Sequence, residues 1–319
     1  MGLARLARKF GQAILPVRIS VSEVAASFEE SGRSTLRRDT SWPESGQIST
    51  PRLMLDLEFV DRTDTGRVRD HNEDYLGYAA PATPVLVRSH GWLFALADGV
   101  GGHEMGEVAS RAAIESMLAG FRGAAGGESH TALLPRLVQK ANTRVFETAI
   151  AGGRDSAGMA TTMVACALRF DRVAVAHVGD SRCYLIRNGK ASQLTRDHTV
   201  ANEQIRLGLV SAQEASEGST RHILSRSLGT ELIVNVETND HQLLPGDVLL
   251  QCSDGLHGSV EASDMAALCS HGLDLLGAAE KLVALANERD GSDNISVQLI
   301  RVRDVERMGM YRGRPYKLY

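Results

Sequence analysis

Residues 162–190 read TMVACALRFDRVAVAHVGDSRCYLIRNGK. Three apolar runs, 162–168, 173–178 and 182–187, are parted by short polar connections, which is the punctuation of strands joined by tight turns. Asn188-Gly189 closes the third run, and an Asn-Gly pair between strands is a strong hairpin signal. Runs 173–178 and 182–187 lie only three residues apart, so they too are predicted to pair antiparallel. Working outward, similar runs occur at 92–97, 248–252 and 295–302, and helical patterns lie between them. Over 104–121, Met105, Val108, Ala109, Ala112, Met117 and Phe121 share one face. Segments 131–151 and 273–288 behave likewise, the latter through Leu276, Ala279, Leu282, Val283 and Ala286. Strand sets separated by helices of this length predict an α+β layered architecture rather than alternating βαβ units.

The chain has 319 residues, 35 of them basic and 39 acidic, for a net charge of −4. Length alone is a soft prior for two domains of roughly 150 residues each. A mildly acidic balance argues against nucleic-acid binding, which leaves a domain strongly basic. Cys166, Cys183, Cys252 and Cys269 form no CxxC pair and sit among apolar neighbours, so they read as buried free thiols. The longest stretches without Asp, Glu, Lys or Arg, 75–87 and 156–168, have 13 residues each, short of the ~20 that a membrane span needs. A cytoplasmic protein fits this composition.

The ends differ from the middle. Segment 1–18 carries Arg5, Arg8, Lys9 and Arg18 without an acid, with Leu3, Leu6, Phe10 and Ile14 at helical spacing. It reads as a short amphipathic helix or a frayed leader. Gly11, Gln12 and Pro16 interrupt its apolar run and no Ala-x-Ala-like site follows, so a secretory signal is not indicated. Residues 30–52 are rich in Ser, Thr, Gly, Pro and Arg and read as linker. The last residues form a basic tail, with Arg307, Arg312, Arg314 and Lys317.

The chemistry lies in where the aspartates fall. Asp98 ends an apolar run and is followed by Gly99-Val100-Gly101-Gly102; Asp180 stands in Val178-Gly179-Asp180-Ser181-Arg182; Asp254 stands in Cys252-Ser253-Asp254-Gly255. Asp293 precedes the last run, and Asp74 closes Arg69-Asp70-His71-Asn72-Glu73-Asp74. Carboxylates gathered at strand mouths repel one another and lose solvation, so a cluster of them requires a cation. All-oxygen donors select hard ions, Mg²⁺ or Mn²⁺. Each Asp-Gly taken singly also reads as a turn, and Gly101-Gly102 as a helix cap.

Taken together, six blocks resemble the metal-dependent protein phosphatases, the PPM or type 2C serine/threonine phosphatases, in the wording of their bacterial branch. They are Arg69-x-x-Asn72-Glu73-Asp74, Asp98-Gly99-Val100-Gly101-Gly102-His103, Gly158-x-x-Thr161-Thr162, Gly179-Asp180-Ser181-Arg182, Ser253-Asp254-Gly255-Leu256 and Gly291-Ser292-Asp293-Asn294. The resemblance implies a four-layer α-β-β-α sandwich over 53–303, flanked by a flexible 1–52 extension and the 304–319 tail. It implies two Mn²⁺ or Mg²⁺ ions held by Asp74, Asp98, the Gly99 carbonyl, Asp254 and Asp293, with Asp98 bridging and Asp180 serving a third ion. A water between the two ions would attack phosphorus directly while Arg69 clamps the phosphate, and Glu73 would hold a water nearby. Substrates would be phosphorylated proteins opposite a serine/threonine kinase, and the enzyme a monomer that binds no nucleic acid. Residues 196–230 fall where the family carries a flap beside the site. In one respect the chain departs from eukaryotic relatives: Val100 stands where they place a His, and His103 does not take over that role. A catalytically weak pseudophosphatase that binds a partner, or a hydrolase of small phosphoesters, are the competing readings; the complete acid set argues against the first.

Overall fold

The computed structural model describes residues 55–100, 104–153, 158–218, 220–270, 274–306, 308–311 and 314–317. The readings of 1–52 and of Gly101, Gly102 and His103 lie outside the described residues. The first strands are β1 (Leu55–Asp64), β2 (Asp74–Ala79), β3 (Trp92–Val100), β4 (Ala160–Thr161), β5 (Met163–Arg169), β6 (Arg172–Val178) and β7 (Arg182–Arg187). They are followed by β8 (Lys190–Gln193), β9 (Glu237–Gln242), β10 (Val248–Cys252), β11 (Ile295–Val305), β12 (Met308–Tyr311) and β13 (Arg314–Lys317). Among them run α1 (Pro84–Ser89), α2 (Glu104–Arg122), α3 (His130–Gly152), α4 (Val200–Arg206) and α5 (Ala212–Glu217). Helices α6 (Asp254–His257), α7 (Ala262–Ser270) and α8 (Leu275–Arg289) complete the set.

Strands β5 and β6 show why four layers form. Successive side chains of a strand point to opposite faces, and here both faces are buried. Ala165, Ala167, Ala174 and Ala176 lie in the core shared with α2 and α3, where small side chains let helices approach the sheet. Val164, Cys166, Leu168, Val173 and Val175 point the other way, into the core between the two sheets with Phe59, Phe94, Leu249 and Ile300. A third core joins β10 and β11 to α7 and α8 through Leu250, Leu299, Met265 and Leu282. One antiparallel sheet runs β1-β11-β10-β7-β8, and the other runs β2-β3-β5-β6-β9 with β4 beside β3. The expected α-β-β-α sandwich is therefore present. β1 pairs with β11 from Leu55↔Val305 to Asp64↔Ile295, which closes one domain where length alone suggested two.

The expected β6–β7 hairpin is not present. β6 pairs with β5 and β9, whereas β7 pairs with β10 and β8 in the other sheet. Both edges of β6 are taken, so Gly179-Asp180-Ser181 carries the chain across the sandwich instead of back along it. Gly179 has φ +102°, and a Cβ there would lie 2.6 Å from the Thr162 side chain, so only glycine fits. The Asn188-Gly189 hairpin does form: both residues have positive φ (51° and 73°), as a type I′ turn demands, and join β7 to β8. The tail also differs from its reading, since β12 and β13 pair antiparallel within it. The four cysteines are free and buried. Among the described residues no helix is long and apolar enough to cross a membrane.

Candidate metal centre

The strand ends place the acids. Asp74 opens β2 and lies directly opposite Asp98 of β3. Asp254 begins α6 just after β10, Asp293 stands just before β11, and Asp180 follows β6. The charges of Asp74, Asp254, Asp180 and Asp293 all act on Asp98, whose pKa burial and that repulsion push well above the usual carboxylate range. Burial, with Asp254 and Asp293 adding to it, pushes Asp74 up to about 7. Asp180 is likewise pushed to about 7, first by burial and then by the Asp254 and Asp197 charges. Burial and Asp293 raise Asp254.

Hydroxyls and amides hold these carboxylates in place. Ser253 Oγ donates to Asp74 Oδ2 (2.8 Å) while accepting from the Ser296 amide (3.0 Å). The Asp98 amide donates to Thr162 Oγ1 (2.9 Å), which in turn meets Ser181 Oγ (2.7 Å) beside Asp180. Asn294 ties the loop before Asp74 to the site: its Oδ1 accepts from the Glu73 amide (2.8 Å), and its Nδ2 donates to the carbonyls of Thr65 and His71 (3.0 and 2.9 Å). Asn294 thus shapes the loop. At Gly99 the backbone is in close contact with its neighbours; a Cβ there would lie 2.2 Å from the Gly106 carbonyl oxygen.

This donor set fits a hard divalent ion. Asp74 Oδ1 is buried with no hydrogen-bond partner, and an orphaned carboxylate oxygen amid like charges is stabilised by a cation or by taking up a proton. Arg69, half exposed, donates from Nη2 to Asp293 Oδ2 (2.8 Å), and this bond raises its pKa. The Glu73 carboxyl lies at Gly106, where a Cβ would come within 2.7 Å of it. Val100 is exposed at the end of β3 and offers no titratable group. His177, within the 173–178 run, is 1% exposed.

Sequence reasoning passed over Ser253 as a partner of Asp74, although the residue lies within a quoted block. It also passed over the pair Asp197–His198, which packs against the Asp180 turn. His198 accepts from the Gly179 amide and Arg182 forks onto Asp197, and Gly179 and Arg182 themselves had been singled out.

The carboxylates gathered at the strand ends of this four-layer sandwich form an all-oxygen donor set of the kind that suits hard divalent ions. Known proteins show the family. The sequence profile described as Protein phosphatase 2C matches residues 67–288. The serine/threonine phosphatase stp of Listeria innocua is 35% identical over 258 residues, covering 79% of this chain and 97% of that protein. The Streptococcus agalactiae serine/threonine phosphatase superposes with a TM-score of 0.72 at 30% identity, covering 78% of this chain and all of that one. The catalytic domain of the phosphatase PstP in complex with two manganese ions gives a TM-score of 0.65 at 32% identity, covering 78% and 99%. The chain belongs to the protein phosphatase 2C family and is an enzyme of its serine/threonine phosphatase class.

Proposed function

We propose that this phosphatase hydrolyses phosphoserine and phosphothreonine in proteins modified by a serine/threonine kinase, by direct attack of water. The observation that carries the reading is the carboxylate cluster, with its orphaned Asp74 Oδ1 and mutually repelling Asp98, Asp254 and Asp293. Asp74, Asp98, the Gly99 carbonyl, Asp254 and Asp293 would hold two Mn²⁺ or Mg²⁺ ions, and Asp180 would serve a third. Such a pair, when bound, activates a shared water and offsets charge developing on the phosphoryl oxygens.

The chain's own side chains supply the rest. Arg69 would receive the phosphate: its planar guanidinium suits two oxygens at once, and its bond to Asp293 holds it beside the cluster. Ser253 holds Asp74 in one rotamer, so the donor oxygens are pre-set. With Val100 after Gly99, no side chain at that position can give a proton to the leaving oxygen. Residues 196–230, which include α4 and α5, would border the site and shape the groove for the polypeptide around the phosphoryl group.

Phosphate release from a phosphothreonine peptide tests the reading. Release should require Mn²⁺ or Mg²⁺ and disappear in Asp98→Ala. Undiminished turnover in excess chelator would overturn the metal mechanism. Peptide binding without turnover would favour a pseudophosphatase.

A further inference from the structure

A second cluster stands behind Asp180. His177 of β6, His198 and Glu237 of β9 bring ligand atoms within 4.8 Å of one another, which by itself suits a cation. The surroundings do not. Arg196 pairs with Glu237, Arg226 Nη1 lies 3.6 Å from the same carboxylate, and that nitrogen is 3.4 Å from His198 Nε2. Two guanidiniums already neutralise Glu237 and would repel an ion there.

The backbone contacts show another role. The His198 amide donates to the Gly179 carbonyl (3.0 Å), and the Gly179 amide donates back to His198 Nδ1 (3.1 Å). Because Nδ1 accepts, the proton of the neutral ring sits on Nε2, facing Glu237 Oε1 at 3.3 Å. One residue earlier, Arg182 forks onto Asp197, Nε to Oδ1 at 2.9 Å and Nη2 to Oδ2 at 2.6 Å. One earlier again, the Arg196 amide and carbonyl both meet His177 Nε2, at 3.1 and 2.9 Å. Segment 196–198 is thus zipped onto residues 177, 179 and 182, which bracket Asp180. The same segment opens the excursion that contains α4 and α5. Ser225 donates to the His198 carbonyl and Val200 to that of Ile223, both at 2.8 Å, so its two stems are joined at the zipper.

We propose that Asp197 and His198 are positioning residues for Asp180, locking its turn to the root of the 200–225 excursion so that the carboxylate's placement and the order of the excursion depend on each other. The inference rests on reading Asp180 as a ligand of a third ion. Coupling of this kind is reciprocal: an ion at Asp180 steadies the excursion, and a loosened root weakens the ion.

Full-length protein titrated with Mn²⁺ by calorimetry, with backbone hydrogen exchange followed over 200–225, tests it. In His198→Asn the amide oxygen takes the place of Nδ1 and keeps the bond to Gly179, whereas in His198→Gln the amide reaches only the Nε2 position. His198→Gln should weaken the weakest Mn²⁺ step roughly tenfold, within the usual range of coupling energies, and speed exchange over 200–225. The tighter steps should be unchanged, and His198→Asn should stay near wild type. Asp197→Asn, which weakens the Arg182 fork without touching the ring, should reproduce the Gln pattern and stands in if the ring variants unfold. Equal effects of Asn and Gln, or a wild-type isotherm in both His198→Gln and Asp197→Asn, would overturn the proposal. Asp180→Asn separates the two claims. If it leaves every step in place, the assignment of Asp180 fails and the coupling with it. If it removes the weakest step while His198→Gln and Asp197→Asn both leave that step at wild-type affinity, the positioning role alone fails.

Discussion

Asp74 and Asp98 occupy the same rung of the β2–β3 ladder, one carboxylate facing the other. Like charges directly opposite on an antiparallel pair are destabilising, and burial makes the repulsion worse. Removing one charge should therefore help the ion-free protein. In chelator, Asp98→Asn is expected to stabilise by roughly 1 kcal/mol, about 2–4 °C in Tm for a domain of this size, while abolishing phosphate release. Thermal scans with and without Mn²⁺ check both halves; a variant that melts earlier than wild type in chelator contradicts the repulsion argument.

Ser253 offers a quieter test of the same site. Its hydroxyl reaches Asp74 Oδ2 and nothing in the proposed reaction consumes it. Ser253→Ala should therefore leave the fold intact and lower Mn²⁺ affinity about 10–100-fold, the usual effect of losing a residue that orients a ligand. Calorimetric titration would show it, and unchanged affinity would mean that Asp74 holds its rotamer without help.

Asp98, Asp180, Asp254 and Asp293 were legible because each sits next to glycine or serine at the end or start of an apolar run, a purely local signal; Asp74, between Glu73 and Tyr75, was legible through its motif block alone. The helices of α2, α3 and α8 were legible for the same reason, their stripes being long. What failed was non-local. The 179–181 link looks like a hairpin connection, and only the pairing of β6 with β9 shows that it is a crossing. β9 itself reads Glu-Thr-Asn-Asp-His-Gln, with no buried residue, so hydropathy gives no hint of a strand there. Glu237 meets His198 across 39 positions of sequence, and no spacing rule reaches that far.

Arg69 is half exposed and its bond to Asp293 is a surface pair, worth little to stability. Arg69→Ala should thus leave Tm near wild type while lowering kcat/KM roughly 10²-fold, the scale expected when one donor to a developing charge is lost. Arg69→Lys should recover little of it, since an ammonium offers no planar fork. Steady-state kinetics on a phosphothreonine peptide decide the matter; full rescue by Lys would reduce the role to one of plain charge.

His130 links folding to pH away from the metal centre. It opens α3, its Nε2 bonds the His90 carbonyl at 2.7 Å, and burial, with the nearby Arg169 charge, lowers its pKa from 6.5 to about 4. The unfolded chain therefore binds a proton between these values that the folded chain refuses, and stability falls as pH drops through that window. Between pH 7 and pH 5 the loss from this one group is about 2 kcal/mol. His130→Gln keeps a donor near the Nε2 position and carries no titrating ring. Urea unfolding with Mn²⁺ present should show the variant losing less stability from pH 7 to pH 5 than wild type, by about that amount. Parallel losses in the two proteins would show that His130 takes up its proton in the folded state after all.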